Sequence, residues 1–346
     1  MTSSAQWCPA TGSSISSGST RWLVSAAAGM ALAAVMASGA AAAPASGAGI
    51  GSGSAITTRV FDRTTGEPVK GVCVLALPVL TFRLPNACSM RSGGGGRVTV
   101  EVPEPGQYNL FSLPKPDSPY GAQWVGPGGG TGRQQEARRV TLAAGETKRV
   151  NQILLDPRAT ISGAVNHWTG ENAGRVSTAA PDLDLHQEMW SVPVGADGTF
   201  DIDWVGPYEW PVLFRLDREP AQWSGKVGNR LQAETVPAVI GGPAEPYQFW
   251  PTSQTRGFVR VVVRDEGPGL PGRVIFYNAV TRDVMGFDDF GQGRWKWVVQ
   301  EYITGGQQIK IECQCPEGTR WYGGTDFDSA TPVAVPYFGS VSVDLR

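Results

Sequence analysis

A spacing of one hundred residues organises most of this 346-residue chain. A glycine followed by a polar residue or proline stands at Gly106, Gly206 and Gly306, and a tryptophan follows each, at Trp124, Trp223 and Trp321. Self-similarity at a fixed period constrains the fold first, because each copy must form the same unit. We therefore predict three tandem units of about 100 residues, each large enough for one modest core. The alternative is three unrelated β segments with similar turns.

Short alternating or β-branched runs, separated by turn residues, fill each unit and favour strands over helices. The 45 glycines and 26 prolines of the chain are typical of turn-rich β proteins. In the first unit we predict strands at 71–77, 97–102, 108–112, 139–142 and 149–155. The fold class predicted is all-β, with three tandem antiparallel β-sandwich domains of Ig-like or prealbumin-like type.

The predicted domain boundaries are a signal peptide at 1–45, a flexible spacer at 46–53, and repeats at 54–157, 158–255 and 256–346. Arg21, the apolar run after it and Ala43-Pro44-Ala45 form the pattern of a secretory leader cleaved after Ala45. An uncleaved membrane anchor is the alternative. The leader predicts an extracellular protein, with no membrane association after cleavage.

The order of motifs in the first unit carries a family resemblance. A turn at Asp62–Gly66 is followed by Pro105-Gly106-Gln107-Tyr108, then Gln123-Trp124, then the segment 140–147. This order resembles the carboxypeptidase regulatory-like domain, a transthyretin-like β-sandwich found in tandem in secreted actinobacterial proteins. The resemblance implies accessory, adhesive or carbohydrate-binding modules, and it is evidence of fold rather than of a ligand.

Four cysteines follow the predicted leader, and an even number in an exported protein indicates disulfides. The resemblance implies that Cys73 faces Cys88, so we predict a disulfide between them. Cys313 and Cys315 flank one residue of a predicted strand and share one of its faces. They form either a strained disulfide or two free thiols.

The composition of the chain argues against several kinds of binding partner and catalytic site. Lys and Arg total 29 against 31 Asp and Glu, a net charge of −2, so no basic excess favours a nucleic-acid partner. The chain has two histidines, His167 and His186, and no nucleophile or zinc motif. Neighbouring acids such as Asp326 and Asp328 read as turn carboxylates. We predict no catalytic residues, no metal and no cofactor, and we expect a monomer.

Tryptophan is the strongest functional signal of the sequence. Five tryptophans outside the repeated position are candidate binding residues: Trp168, Trp190, Trp250, Trp295 and Trp297. Flat aromatic faces can stack on sugar rings, although packing in the core is the alternative for each. We predict a secreted, non-catalytic structural or adhesive spacer whose partner is a cell-envelope or matrix component. The alternative is a polysaccharide-binding array, starch- or chitin-like, working beside secreted glycan hydrolases such as alpha-amylase.

Overall fold

The computed structural model describes residues 53–82, 84, 88, 90–166, 174–179, 190–217, 219–251, 256–264, 271–291 and 296–345. Strands and three-residue 3₁₀ turns form the regular structure of these residues, so the predicted all-β class is confirmed. The described residues belong to one compact unit. The predicted leader, and the predicted spacer except Gly53, lie outside the described residues. No helix of the described ranges is long and apolar enough to cross a membrane.

The described residues of the first predicted repeat form nine strands in two sheets. They are β1 (Ser54–Asp62), β2 (Cys73–Pro78), β3 (Arg97–Val102), β4 (Gly106–Leu113), β5 (Gln123–Val125), β6 (Gly130–Thr131), β7 (Arg139–Leu142), β8 (Thr147–Arg149) and β9 (Ile153–Leu155). One sheet is centred on β1, which pairs antiparallel with β3 and parallel with β8 and β9. The other is centred on β4, which pairs with β2, β5 and β7.

The second predicted repeat follows with β10 (Ala159–Val165), β11 (Gly174–Ser177), β12 (Ser191–Pro193), β13 (Thr199–Val205), β14 (Glu209–Pro211), β15 (Leu213–Leu216), β16 (Gln222–Trp223), β17 (Thr235–Pro237) and β18 (Tyr247–Phe249). Strand β10 pairs antiparallel with β13 and parallel with β18. A second sheet has the order β12-β11-β15-β16, and β14 pairs with β17.

The third predicted repeat contains β19 (Arg256–Arg264), β20 (Gly272–Asn278), β21 (Val284–Phe290), β22 (Lys296–Thr304), β23 (Gln308–Cys315), β24 (Gly318–Trp321), β25 (Val333–Ala334) and β26 (Ser340–Leu345). Strand β19 lies between β22, antiparallel, and β26, parallel. The second sheet has the order β21-β20-β23-β24, and β25 also pairs with β23.

One pairing pattern therefore occurs in all three predicted repeats. The first strand of each pairs antiparallel with a middle strand and parallel with the last strand. The parallel pair has no signal in the sequence, because it depends on where the chain returns after passing through the other sheet. The exact boundaries between the repeats stay predictions.

Alternating burial explains why these segments are strands. In β3, Val98, Val100 and Val102 are buried while the residues between them are exposed, which is the period of two expected of a half-buried strand. These valines share one core with Ile56 of β1 and Leu110 of β4. Because side chains of both sheets meet in that core, the first predicted repeat is a β-sandwich.

Hydrophobic packing also continues across the predicted boundaries. One core joins Phe111 and Trp124 of the first predicted repeat to Trp210 of the second. A further core joins Trp223 of the second to Val261 and other residues of the third. Because the sandwiches share cores, separating two of them would expose apolar surface to water.

The tryptophans of the repeated position are packing residues. Trp124 lies in β5 opposite Phe111, and Trp223 lies in β16 opposite Leu213; both are fully buried. Trp321 in β24 is half-buried and stacks on Tyr277 with ring centroids 5.6 Å apart. The repeated position therefore supplies an aromatic side chain against the second sheet of each predicted repeat.

Two disulfides join cysteines of the described residues. Cys73, the first residue of β2, is joined to Cys88, with Cα atoms 5.9 Å apart, so the predicted pair is confirmed. Cys313 and Cys315, both in β23, are also joined, with Cα atoms 5.2 Å apart. The Cys73–Cys88 bond ties the segment that follows β2 back to the start of that strand.

Candidate functional site

The structure describes the side chains of two of the five tryptophans that we predict to bind sugars. Trp168 and Trp295 lie outside the described residues, and Trp297 lies in β22 opposite Val263 with no side chain described. Trp190 is half-buried beside a hydrophobic core and meets Trp204 edge to face, with centroids 5.3 Å apart. Trp250 follows β18 and is 47% exposed. Of the two described side chains, that of Trp250 is the more exposed, and sugar binding by the five stays a prediction.

A buried arginine marks the meeting point of the three predicted repeats. Arg230 opens a 3₁₀ turn, Arg230–Gln232, and the side chain of Asn229 caps that turn by accepting a hydrogen bond from the Leu231 amide at 2.9 Å. The turn directs the Arg230 side chain inward, where the residue is only 3% exposed. A charged side chain at this depth needs partners for its donors.

The partners of Arg230 come from both neighbouring repeats. Nη1 donates to Oε1 of Gln134 at 2.7 Å and Nη2 to the carbonyl of Leu80 at 3.1 Å, both in the first predicted repeat. Nε donates to Oδ2 of Asp283 in the third, at 3.3 Å, and Asp283 is 1% exposed. We name the set Arg230, Gln134, Leu80 and Asp283 the Arg230 junction.

Surrounding groups fix the junction. The guanidinium carbon of Arg230 lies 5.4 Å from the ring centroid of Phe82 and 6.0 Å from that of Trp223. Gln134 is oriented by a second hydrogen bond, from its Nε2 to the Thr81 carbonyl at 2.9 Å. Charge-assisted hydrogen bonds in a water-poor site are stronger than those between neutral groups. The junction therefore sets the geometry of three chain regions at once.

The first and second predicted repeats also meet through a polar cluster. Arg63 forms an ion pair of 2.7 Å with Asp156, and the Tyr208 hydroxyl donates to the same carboxylate. Burial, together with that hydrogen bond, raises the pKa of Tyr208 above its usual range, so the phenol stays protonated. Gly121 is required beside this cluster, because an added Cβ would lie 2.2 Å from the Val205 carbonyl oxygen.

The second and third predicted repeats meet through buried amides. Asn278 donates from Nδ2 to the Gly228 carbonyl at 3.0 Å and to Oε1 of Gln307 at 2.9 Å. Thr304 donates to the Ala221 carbonyl at 2.9 Å. Gln307, which follows the third glycine of the predicted repeat position, Gly306, orients Asn278 at this contact.

A cleft of about 460 Å³ lies beside this contact. It is lined by charged and aromatic side chains, including Arg175 and Arg215 of the second predicted repeat and Glu301 and Tyr302 of the third. Burial, with repulsion from Asp288, raises the pKa of Glu301 to about 7, against the opposing effect of Arg215. Glu301 is therefore a carboxylic acid that keeps its proton close to neutral pH.

The described residues offer no obvious set of ligands for a metal ion. No group of three or more His, Cys, Asp or Glu side chains arranged for a metal ion occurs there. The Asp326 carboxylate accepts hydrogen bonds from the amide and hydroxyl of Ser329 at 2.8 and 2.7 Å, which stabilise a turn and lower the pKa of Asp326. Asp328 pairs with Arg282. His167 and His186 lie outside the described residues.

Comparison with known proteins gives distant matches only. No family model matches the chain, and no curated protein matches it. Among solved structures it is similar to the Bacillus anthracis TIE protein (TM-score 0.22, 11% identity, 85% of this chain and 51% of that one). It is also similar to a streptococcal ancillary pilin (TM-score 0.24, 11% identity, 58% of this chain and 63% of that one). A further similar structure is BcpA, the major pilin subunit of Bacillus cereus (TM-score 0.19, 9% identity, 85% of this chain and 99% of that one). The chain thus spans about half of the TIE protein and under two thirds of the ancillary pilin. Similarity this low assigns no function.

The raised pKa of Glu301 predicts a pH dependence of stability. Between pH 4.5 and about 7 the unfolded chain releases this proton while the native chain retains it, so stability falls as pH rises through that window. Glu301→Gln removes the loss. At about 1.4 kcal/mol per pKa unit, reduced for partial exposure, we expect the variant to be more stable by about 2 kcal/mol at pH 8. Denaturant unfolding at pH 4 and pH 8 measures this; an equal difference at both pH values contradicts it.

The Arg230 junction predicts a large loss of stability when its charge is removed. Arg230→Ala removes the cation paired with the buried Asp283 carboxylate, and we expect a loss of about 3–5 kcal/mol in denaturant unfolding. Asp283→Asn removes the opposite charge with little change of shape and should also be destabilising. Lys148→Ala is the control, because Lys148 and Glu146 form an exposed pair worth less than about 1 kcal/mol. Equal losses for Arg230→Ala and Lys148→Ala would contradict the role given to the junction.

Proposed function

We propose that the chain is an exported, non-catalytic structural protein whose three β-sandwich repeats act as one rigid extracellular spacer. The Arg230 junction is the observation that supports this most strongly. A chain of independent modules joined by flexible linkers would place no shared buried charge between them. Here the guanidinium of Arg230, which lies in the second predicted repeat, donates hydrogen bonds to residues of both the first and the third.

The shared cores support the same proposal. Trp124 and Trp210 pack in one hydrophobic cluster, and Trp223 packs with the third predicted repeat in another. Relative motion of domains is the default where their interface is small and polar, whereas a large apolar interface restricts it. A restricted arrangement suits a protein that must keep two ends of a surface structure at a fixed distance.

Export is the second element of the proposal. The predicted leader at 1–45 supplies the route, and the Cys73–Cys88 disulfide suits an oxidising compartment. The partner we propose is a cell-envelope or matrix component, and we propose that the spacer is a monomer. Light scattering of the purified chain measures the oligomeric state.

The spacer proposal predicts where the protein is found and how it moves. In producing cells, the chain should be recovered from the surface or the medium with Ser46 as its first residue. In small-angle X-ray scattering, the purified chain should fit one rigid body, and Arg230→Ala should increase its radius of gyration, with Lys148→Ala as the control. Recovery of the full chain with its leader in the cytoplasm contradicts export. Interdomain flexibility in the wild-type chain contradicts the rigid spacer.

A polysaccharide-binding array is the second candidate, and Trp250 is the observation that favours it. Trp250 follows β18 and is 47% exposed, which leaves part of the indole accessible to a sugar ring. We expect retention on insoluble starch or chitin, with Trp250→Ala weakening binding by about tenfold. Trp190→Ala is the comparison, because Trp190 packs on Trp204. Passage of the wild-type chain through every neutral glycan tested contradicts this candidate.

A further inference from the structure

An open groove lies on the outer face of the sheet formed by β3, β1 and β8. It has a volume of about 690 Å³, and three arginines line it: Arg59, Arg97 and Arg149. They stand on three adjacent strands, one on each. We call it the arginine groove.

Strand register brings the three guanidiniums to one face. Arg59 of β1 is the direct partner of Arg97 in the antiparallel pair. Arg149 of β8 is aligned with Thr57, which points to the same face as Arg59 because it lies two residues before it. Neighbouring strands are about 4.8 Å apart, so the three cations span a short width of the sheet.

Several other arginines of the chain have carboxylate partners, which the arginines of the groove lack among the described residues. Arg63, Arg158, Arg273 and Arg282, for example, each form an ion pair with an aspartate. Across the described residues, no ion pair includes an arginine of the groove. Arg59 instead donates from Nε to the Gly95 carbonyl at 3.1 Å and lies 4.9 Å from the centre of the Phe61 ring.

The direct pairing of Arg59 with Arg97 has an energetic consequence. Like charges directly opposite each other on neighbouring strands destabilise a sheet. A bound anion reverses the effect, because it turns repulsion between two guanidiniums into attraction by both. The arrangement is thus less favourable for the free protein and more favourable for a complex with an anion.

The other residues that line the groove indicate what kind of molecule would bear the bound anionic group. Thr57, Thr99, Asn151 and Gln152 border the same groove. Hydroxyl and amide groups both donate and accept hydrogen bonds, which matches the hydroxyls of a sugar ring. The net charge of −2 gives the whole molecule no long-range attraction for a nucleic acid, so recognition depends on these local contacts.

We propose that the arginine groove binds an acidic polysaccharide. Its sulfate, phosphate or carboxylate groups accept paired hydrogen bonds from the guanidinium forks, and its hydroxyls bond to the threonine and amide side chains. The site lies on one sheet of the first predicted repeat and does not depend on the tryptophans. It gives the proposed spacer an attachment point on its first predicted repeat.

The test is binding of the purified chain to immobilised polymers at low and high salt. Dextran sulfate and polygalacturonate distinguish sulfate from carboxylate, and neutral dextran and single-stranded DNA are the comparisons. We expect retention on at least one acidic glycan that weakens as salt is raised, and none on neutral dextran.

Matched variants locate the site. Arg97→Gln should weaken binding about fivefold and the triple variant with Arg59→Gln and Arg149→Gln more than about thirtyfold. Arg139→Gln is the control, because Arg139 is an exposed arginine of the same repeat on β7, in the other sheet. The unfolding temperature of Arg97→Gln should be equal to or above that of the wild type, so that lost binding is not lost folding.

Three results would overturn the proposal. The first is no retention of the wild-type chain on any acidic glycan. The second is an equal effect of Arg139→Gln and Arg97→Gln, which would indicate nonspecific charge attraction. The third is binding of single-stranded DNA as tight as that of the acidic glycans, which would reassign the groove to a nucleic acid. Failure here leaves the rigid-spacer proposal intact, because that proposal is tested by scattering and localisation.

Discussion

The buried charge of Arg230 constrains the arrangement of the whole described chain. A guanidinium removed from water is tolerated only where its donors are satisfied, and its acceptors here are Gln134, the Leu80 carbonyl and Asp283. These groups belong to different predicted repeats. Any movement that separates them takes the buried Arg230 guanidinium away from its acceptors, so the junction favours one arrangement of the three sandwiches over alternatives of similar hydrophobic area.

Shared hydrophobic cores and the junction have different roles. The apolar contacts of Trp124 with Trp210, and of Trp223 with the third predicted repeat, supply nondirectional attraction that grows with buried area. Hydrogen bonds from one planar guanidinium are directional and define orientation. Together they account for a fused structure in which apolar burial supplies the stability and the buried ion pair the specificity of docking. The rigid spacer that we propose requires both.

The local pattern of hydrophobic residues predicted many of the strands. The features that depend on contacts between distant parts of the chain could not be predicted in this way. The alternation of Val98, Val100 and Val102 indicated a strand, and the recurring glycines and tryptophans indicated equivalent places in successive units. Arg230 carried no such signal, because an arginine in a polar turn looks the same in sequence whether it faces water or a neighbour. The pairing of Arg59 with Arg97 also depends on strand register, which the sequence did not specify.

Hydrogen exchange measured separately on β4, β15 and β23 tests the central claim, which is that the Arg230 junction couples the three predicted repeats. The account predicts that the most protected amides of all three strands open with a common free energy in the wild-type chain. Arg230→Ala should lower that free energy in all three strands, whereas Lys148→Ala should leave it unchanged. Independent opening free energies in the wild type, or an effect of Arg230→Ala confined to β15, would contradict it.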